Sequence, residues 1–412
     1  MCVYLNLSKN NYKYILLNYI LFVLFTVFLG TVFGLLFGII SGIIPGLHIN
    51  NVIYLVSNIN LSIEIKAIIF ILASIIFSFV SFIPATLLSI PNTDNFVSTL
   101  PSQRLVIKGN AYYAIKLYII GAINGIIFGL PIIILFILLL QYLTETIKFL
   151  TPFILVIGLI ALIFNVKNYF GYLVILFSAL VGFFALNYAF VENPLLVVIS
   201  GLFGISNILY LMQNKIKIPK QNLKTKEIDI KTKIKTGIIG TCLSVFVTLF
   251  PGIGNGFATY IGTKVSQLKD EGYILLNGAI NILVMVLSFF SVLFIGKART
   301  ASAVFFKEYT KNTFVFSLPW VIIFILIAIV IGYFLTDFLG KMLSLRIHKI
   351  NYKTANFVII VFLNLIVILF SNILGLIVFW LSGLIGYLCI KTKNPRILML
   401  PTIIVPVLIY FI

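Results

Sequence analysis

Two short polar segments interrupt apolar stretches at corresponding places in the chain. They read Pro45-Gly46-Leu47-His48-Ile49-Asn50-Asn51 and Pro251-Gly252-Ile253-Gly254-Asn255-Gly256. Proline lacks a backbone N–H and glycine tolerates positive φ, so both segments predict broken helices with backbone groups left for a ligand. Asparagine adds donors and acceptors that suit an ion or a carboxylate. The segments are therefore candidate binding sites, although a plain loop between two spans would use the same residue types.

A second pair of polar segments ends the apolar run that follows each Pro-Gly. The candidate binding residues here are Asn92, Thr93, Asp94 and Asn95 in the first half, and Lys297, Arg299 and Thr300 in the second. Ionisable groups near a membrane interior are costly and commonly functional, so the cations could hold an anion and Asp94 a cation. The alternative is that these charges sit at helix ends and reach water.

Residues for catalysis or metal binding are sparse. His48 could bind a proton or an anion, but a single histidine in a loop is more often solvated. The other histidine, His348, is 300 residues away, and the three cysteines are scattered without metal-ligand spacing. Hydrolase, metalloprotease and nucleotide-binding motifs do not occur in the sequence. We therefore expect no enzyme activity, no cofactor and no metal site.

The elements that position these residues must be membrane helices. Hydrophobic residues make up 61% of the 412 residues, charged residues only 9%, and the mean hydropathy is +1.19. A soluble domain carries roughly 25% charged residues. The long apolar runs are continuous rather than alternating, which favours helices over barrel strands. The sequence predicts an all-α, multi-pass protein of the cell membrane.

The net charge is +19, and the densest basic segment has eight lysines between Lys215 and Lys235. Such a segment is typical of a cytoplasmic loop that obeys the positive-inside rule, and nucleic acid is not an expected partner. It also separates two similar halves. Gly171–Leu186 aligns with Gly375–Ile390 at an offset of 204, close to the offset of 206 between the Pro-Gly pairs. The repeat predicts membrane halves at 1–212 and 237–412, joined by a basic linker at 213–236.

Each half contains six apolar units. They cover about 14–58, 66–90, 113–142, 149–166, 169–187 and 194–212, then 237–266, 272–295, 314–338, 355–372, 373–390 and 397–412. The first unit of each half is interpreted as a re-entrant hairpin with Pro-Gly at its tip. If the hairpin re-enters, the halves are inverted repeats; if it crosses, they are parallel. The inverted arrangement places more Lys and Arg residues on the linker side and is favoured.

Four segments carry a resemblance to a known family. They are GIIPGL at 42–47, LFPGIGNG at 249–256, SIPNTDNFVSTLPSQRLVIKGNAYYAIKL at 89–117 and GAIN at 278–281. With them the chain resembles a divergent, archaeal form of the TctA family, the large permease subunit of tripartite tricarboxylate transporters. The resemblance implies an inverted-repeat fold like that of the ion-transporter superfamily. It also implies secondary transport of organic anions such as carboxylates, coupled to sodium ions or protons.

The resemblance further implies two partners, a small membrane subunit and a solute-binding protein, besides the solute and membrane lipids. The chain departs from the family pattern at Gly296-Lys297-Ala298-Arg299, so the solute itself stays open. Two other hypotheses use the same residues. One is a membrane-embedded enzyme or lipid-handling protein with the same polar cleft, and the other is a scaffold without a cavity.

Overall fold

The computed structural model describes residues 9–44, 47–88, 99–188, 190–213, 218–250, 252–310 and 313–411. These ranges are almost entirely helical and contain no strand. Eight helices in them are long and apolar enough to cross a membrane: Ile20–Ile43, Ile63–Leu87, Ala111–Gly129, Tyr169–Asn187, Ile230–Leu249, Asp270–Ile295, Leu318–Lys349 and Ile373–Lys391. The predicted all-α, multi-pass membrane fold is confirmed.

The helices of the first half follow the predicted apolar units. They are α1 Lys9–Ile43, α2 Ile49–Asn58, α3 Ile63–Val80, α4 Phe82–Leu87, α5 Thr99–Ile107, α6 Ala111–Ile163, α7 Tyr169–Asn187, α8 Pro194–Ile199 and α9 Ser206–Gln213. A π-helical turn, Ser200–Ile205, joins α8 to α9.

The second half repeats the order after the basic linker. It contains α10 Ile230–Leu249, α11 Asn255–Val265, α12 Asp270–Ile295, α13 Ala301–Thr310, α14 Leu318–Arg346, α15 Tyr352–Phe370, α16 Ile373–Lys391 and α17 Pro401–Phe411. Short 3-10 turns, Phe314–Phe316, Ile347–Lys349 and Arg396–Met399, precede or follow these helices.

One boundary differs from the sequence prediction. The units predicted at 113–142 and 149–166 form a single helix, α6, which contains Pro131 and Pro152. Proline in a membrane helix need not end it, because neighbouring helices and local adjustments satisfy the freed carbonyls. Neither proline lies at the break predicted between 142 and 149, which was wrong because the polar residues there, such as Thr144 and Glu145, continue the helix.

The first unit of each half consists of a long helix, a break and a short helix. The short helices α2 and α11 have 10 and 11 residues. At 1.5 Å per residue they extend about 15 Å, half the hydrocarbon thickness. The long helices end at Ile43 and Leu249 and the short ones begin at Ile49 and Asn255, so a break separates them in each half. Whether each unit re-enters or crosses, and hence whether the halves are inverted, stays a prediction.

The core is formed by α3 and α12, which occupy equivalent places in the two halves and are the most buried spans. Glycines at every fourth residue let α1 approach α3 closely, as small residues do in membrane helix pairs. A Cβ at Gly34 would lie 2.8 Å from that of Leu72, and the contact repeats along the helix at Gly30, Gly38 and Gly42.

The halves are interlocked through these two central helices, because α3 packs on α14 of the second half and α12 on α6 of the first. A Cβ at Gly278 of α12 would lie 2.1 Å from the Tyr118 carbonyl oxygen, and one at Gly121 of α6 would lie 2.0 Å from that of Leu275. Backbones this close leave no room for a side chain. The described parts of the candidate binding segments are therefore held in one packed body.

Candidate functional site

The helix that follows the first Pro-Gly, α2, is capped at its N-terminus by a histidine. Pro45 and Gly46 lie outside the described residues, and His48 is the N-cap of α2. Its Nδ1 accepts a hydrogen bond from the Asn50 N–H at 3.2 Å, so the ring proton of the capping form is on Nε2. The ring packs edge-on against Phe77 of α3, with ring centroids 5.0 Å apart. The side chain thereby fixes where α2 begins.

A cavity of about 450 Å³ lies beside this N-terminus. Its wall is formed by the end of α1, the start of α2, the α3–α4 junction, the end of α7, and the segment from α8 to the π-helical turn. Leu363 of α15 and Ile403 of α17 contribute from the second half. Three predicted binding residues, His48, Asn50 and Asn51, line the cavity. Its volume lies within the range of small-molecule sites.

Two buried polar groups in the wall have no hydrogen-bond partner in the described part of the chain. They are Nδ2 of Asn51 and the hydroxyl of Ser81, whose residues are 8% and 5% exposed. Most of the other lining side chains are apolar, and none of the described ones is an Asp, Glu, Lys or Arg. The wall thus offers hydrogen-bond donors in an uncharged, largely apolar setting.

The second Pro-Gly break is pinned by packing and by an arginine. Gly252 has a φ of +85°, and a Cβ on it would meet Leu155 at 3.0 Å and Val407 at 3.2 Å. The next residue, Ile253, is buried, and its carbonyl accepts a hydrogen bond from Nη2 of Arg299. Gly254 is the N-cap of α11, which begins at Asn255 and Gly256.

The polar segment 296–300, which follows the apolar run of the second half, is a turn ordered by one serine. Gly296, with a φ of +65°, ends α12. The hydroxyl oxygen of Ser288 accepts hydrogen bonds from the backbone N–H of Arg299 at 3.1 Å and of Thr300 at 3.0 Å. Thr300 in turn accepts from the N–H of Ala303 at 3.3 Å, at the start of α13. Lys297 in this turn is exposed. The turn directs Arg299 back to the second Pro-Gly break.

The predicted residues fall into two groups in the structure. The first-half residues His48, Asn50 and Asn51 line the cavity, whereas the described segments 252–256 and 296–300 are joined to each other and do not line it. The groups meet at α17, where Ile403 lines the cavity and Val407, one turn on, contacts the position of Gly252. The remaining predicted residues, Asn92, Thr93, Asp94 and Asn95, lie outside the described residues.

Helix α13, which follows the 296–300 turn, also packs against the first half. The hydroxyl of Ser74 on α3 donates to that of Ser302 at 2.6 Å, and Tyr54 of α2 meets Phe305 with ring centroids 6.5 Å apart. Helix α13, which begins two residues after Arg299, is therefore in contact with α2, the helix that carries Asn51.

An ion-pair cluster between the halves was not predicted. Asp337 of α14 binds Lys116 of α6 at 2.8 Å and Lys341 at 2.6 Å, and it accepts a hydrogen bond from the Tyr112 hydroxyl at 2.8 Å. The presence of Lys116 inside an apolar run was a signal for it. A contact between residues more than 200 positions apart, however, cannot be read from one sequence.

The polar residues of the cavity that sequence reasoning missed are Ser41, Ser81, Asn193 and Ser200. The signal for Asn193 was its recurrence in the second half, where Asn394-Pro395 matches Asn193-Pro194. Ser81 and Ser200 are isolated serines among apolar residues and carried no signal. Ser200 begins the π-helical turn, a type of irregularity often found at functional sites.

Comparison with known proteins gives one family and one relative. Residues 28–400 match the family model described as "Tripartite tricarboxylate transporter TctA family". The chain is 28% identical over 348 residues to an uncharacterized protein of Methanocaldococcus jannaschii, covering 81% of this chain and 85% of that protein. No solved structure matches the chain.

Proposed function

Since the chain belongs to the tripartite tricarboxylate transporter TctA family, we propose that it moves a small organic anion across the cell membrane by cation-coupled secondary transport. Family membership and eight membrane-length apolar helices make it a multi-pass membrane transporter. The anionic solute and the coupling to a cation gradient are the proposed part.

The observation that carries the proposal is the placement of the cavity. It opens at one broken helix and lies one turn of α17 away from the other, because Ile403 lines it and Val407 contacts the position of Gly252. Transporters commonly bind their solute at broken helices that recur in two repeats. A rearrangement at the second break would reach the cavity through α17 or through α13.

The two breaks have different proposed roles. The first forms the solute site, with Asn50 and Asn51 in its wall. At the second, Arg299 binds the Ile253 carbonyl and holds the break in one conformation, so its guanidinium supports the site instead of lining the cavity. Asp94, outside the described residues, is the proposed acidic ligand of the coupling ion, either sodium or a proton.

The proposed partners follow from the family. A tripartite transporter combines a large permease with a small membrane subunit and a solute-binding protein, so this chain is the proposed permease subunit of such an assembly. A membrane-embedded lipid-handling protein or enzyme, the alternative use of the same cleft, is not favoured by the family.

Uptake into proteoliposomes tests the proposal. The purified chain is reconstituted, alone and together with the proposed small membrane subunit and solute-binding protein, and accumulation of radiolabelled organic anions is followed with an imposed sodium gradient, with an imposed proton gradient, and with neither. We expect accumulation with one gradient only, and a strong decrease in Asp94→Ala and Arg299→Ala. Arg104→Ala is the matched control, because that arginine is exposed and pairs with exposed Asp270.

Two results would contradict the proposal. Full uptake in both Asp94→Ala and Arg299→Ala would show that neither residue has the role assigned to it. Turnover of a lipid without any gradient, and no accumulation of any anion, would overturn transport itself and favour the lipid-handling alternative.

A further inference from the structure

The cavity beside α2 has an unmet hydrogen-bonding requirement. The side chain of Asn51 is more than nine-tenths buried, and its Nδ2 has no partner within the described ranges; the same holds for the hydroxyl of Ser81. Both residues line the cavity. A buried donor without a partner is unfavourable, and native proteins rarely keep one unless a ligand or water completes it. A ligand with acceptor atoms would satisfy both groups.

The N-terminus of α2 favours a negative charge at this place. Its ten residues give a helix dipole equivalent to roughly half an elementary charge at the N-terminal end. The first backbone donors are already engaged, because the N–H of Asn50 binds Nδ1 of His48 and that of Asn51 binds the His48 carbonyl. The Asn51 amide group is thus the donor that the first turn presents to a ligand. The acceptor that suits it best is an anionic oxygen.

The charges around the cavity limit that anion to one carboxylate. The described lining residues include no Lys or Arg. Each carboxylate moved from water into such a site without a cation is strongly disfavoured. One carboxylate can be accommodated by the two donors and the helix dipole. A second and a third carboxylate would have no cationic side chain to offset their charge among the described lining residues.

The rest of the wall selects an apolar body. Phe77, Leu186, Ile199 and Leu363 line the cavity, and Phe77 and Ile199 are themselves almost fully buried. Binding of hydrocarbon groups against these side chains is favourable in proportion to the apolar area removed from water. A compact, polar polycarboxylate would leave this surface without contacts.

We propose that the cavity is the solute site of this transporter and that its solute is a monocarboxylate with an apolar body, aromatic or branched. The carboxylate accepts hydrogen bonds from Nδ2 of Asn51 and from the hydroxyl of Ser81, next to the N-terminus of α2. The body packs against Phe77 and the neighbouring leucine and isoleucine side chains. This inference rests on the proposed function, because it names the substrate class of the same site, and it excludes tricarboxylates from this cavity.

Binding to the full chain in lipid nanodiscs, measured by titration calorimetry, tests the inference. The probes are 3-phenylpropanoate, its uncharged primary amide, and propane-1,2,3-tricarboxylate. We expect 3-phenylpropanoate to bind at least tenfold more tightly than the other two. Asn51→Leu keeps the side-chain volume but removes the donor, so it weakens binding of the acid about tenfold, the loss typical of one hydrogen bond to a charged group. Binding of the amide changes less than threefold.

Asn58→Leu is the matched control, because Asn58 is the exposed last residue of α2 and donates only to the Tyr54 carbonyl of its own helix. Its affinity for 3-phenylpropanoate should equal that of the wild type. If Asn51→Leu does not fold, Ser81→Ala replaces it, with an expected severalfold loss of affinity for the acid and none for the amide.

The contradicting results separate the inference from the proposed function. Tighter binding of the tricarboxylate than of the acid overturns the inference, and so does equal binding of acid and amide, which would indicate an apolar groove that lipid can fill. Unchanged affinity in Asn51→Leu or Ser81→Ala overturns the assigned contacts. In all these cases, gradient-driven uptake of another organic anion leaves the proposed function standing; only loss of all such uptake removes it.

Discussion

The two Pro-Gly breaks begin from the same sequence pattern and end in different environments. After the first, α2 is capped by a histidine side chain, and its residue Asn51 lines a cavity. After the second, α11 is capped by Gly254, and the preceding Ile253 is buried and bound by Arg299. Two similar broken helices thus differ in their surroundings: one borders a cavity and the other is held by packing and by Arg299.

This difference separates two tasks that the sequence pattern alone assigns equally to both breaks. A solute site needs space and unmatched polar groups, and the cavity beside the first break has both. A structural joint needs filled space and satisfied groups, and the second break has both at Gly252 and Ile253. The following predictions test this division, from the largest expected effect to the smallest.

Asp337→Ala tests whether the ion pair between the halves helps to hold both breaks in one packed body. Removing this carboxylate leaves partly buried Lys116 without its ion-pair partner, at a cost on the order of 2–4 kcal/mol. We expect a decrease of several degrees in the melting temperature of the detergent-solubilised protein. Asp270→Ala is the control: it also removes an ion pair between the halves, but an exposed one, so its melting temperature should stay close to wild type. Equal decreases would contradict the prediction.

Arg299→Ala should release the second break. The buried Ile253 carbonyl then loses its charged donor, which costs roughly 1.5–3 kcal/mol, and we expect uptake to decrease about tenfold or more. Arg299→Lys should recover only part of the activity, because an ammonium group on a flexible chain cannot reproduce the planar guanidinium contact. Initial rates in proteoliposomes measure both. Full activity in Arg299→Lys would argue for a direct role of the charge in solute binding.

Two neighbouring glycines distinguish conformational strain from lost space at the second break. Gly252→Ala places a side chain at a φ of +85° and against Leu155, so it should destabilise the protein by about 1–2 kcal/mol. Gly254→Ala adds its methyl group in open space at a φ of −85° and should leave the melting temperature nearly unchanged.

Uptake measurements on the same two variants sharpen the comparison. A Gly254→Ala protein that melts normally but transports poorly would place solute or ion at the second break as well. That outcome would contradict the division of tasks between the breaks.

The smallest expected effect concerns the cap of the first break. His48→Ala removes the acceptor for the Asn50 N–H, so α2 should lose about 1 kcal/mol of local stability, whereas His48→Asn should retain most of it. Hydrogen exchange of the peptide that contains α2 measures this directly. Equal exchange in wild type and His48→Ala would show that Phe77 packing, and not the cap, fixes the helix start.

Much of the fold could be predicted because each membrane helix corresponds to a continuous apolar run in the sequence. The units 169–187 and 373–390 coincide with α7 and α16 almost to the residue. The prediction failed at α6, where the polar residues between 142 and 149 were interpreted as a break between two units, although the helix continues through them. The candidate site was predicted in part: Asn50 and Asn51 line the cavity, but Ser81 and Ser200 had no distinguishing neighbours in the sequence.

The sequence by itself determined that this is a helical membrane protein with two related halves, because hydrophobicity, charge placement and the repeat are properties of the linear chain. It also marked the two Pro-Gly segments as places where a helix ends, since proline and glycine together act locally on the backbone, whereas the isolated prolines of α6 left their helix unbroken. Only the tertiary structure decided that one break borders a cavity while the other is bound by Arg299, and that Lys116 meets Asp337. These outcomes depend on contacts between residues far apart in the chain, where burial and space, not residue type, determine what a polar group can bind.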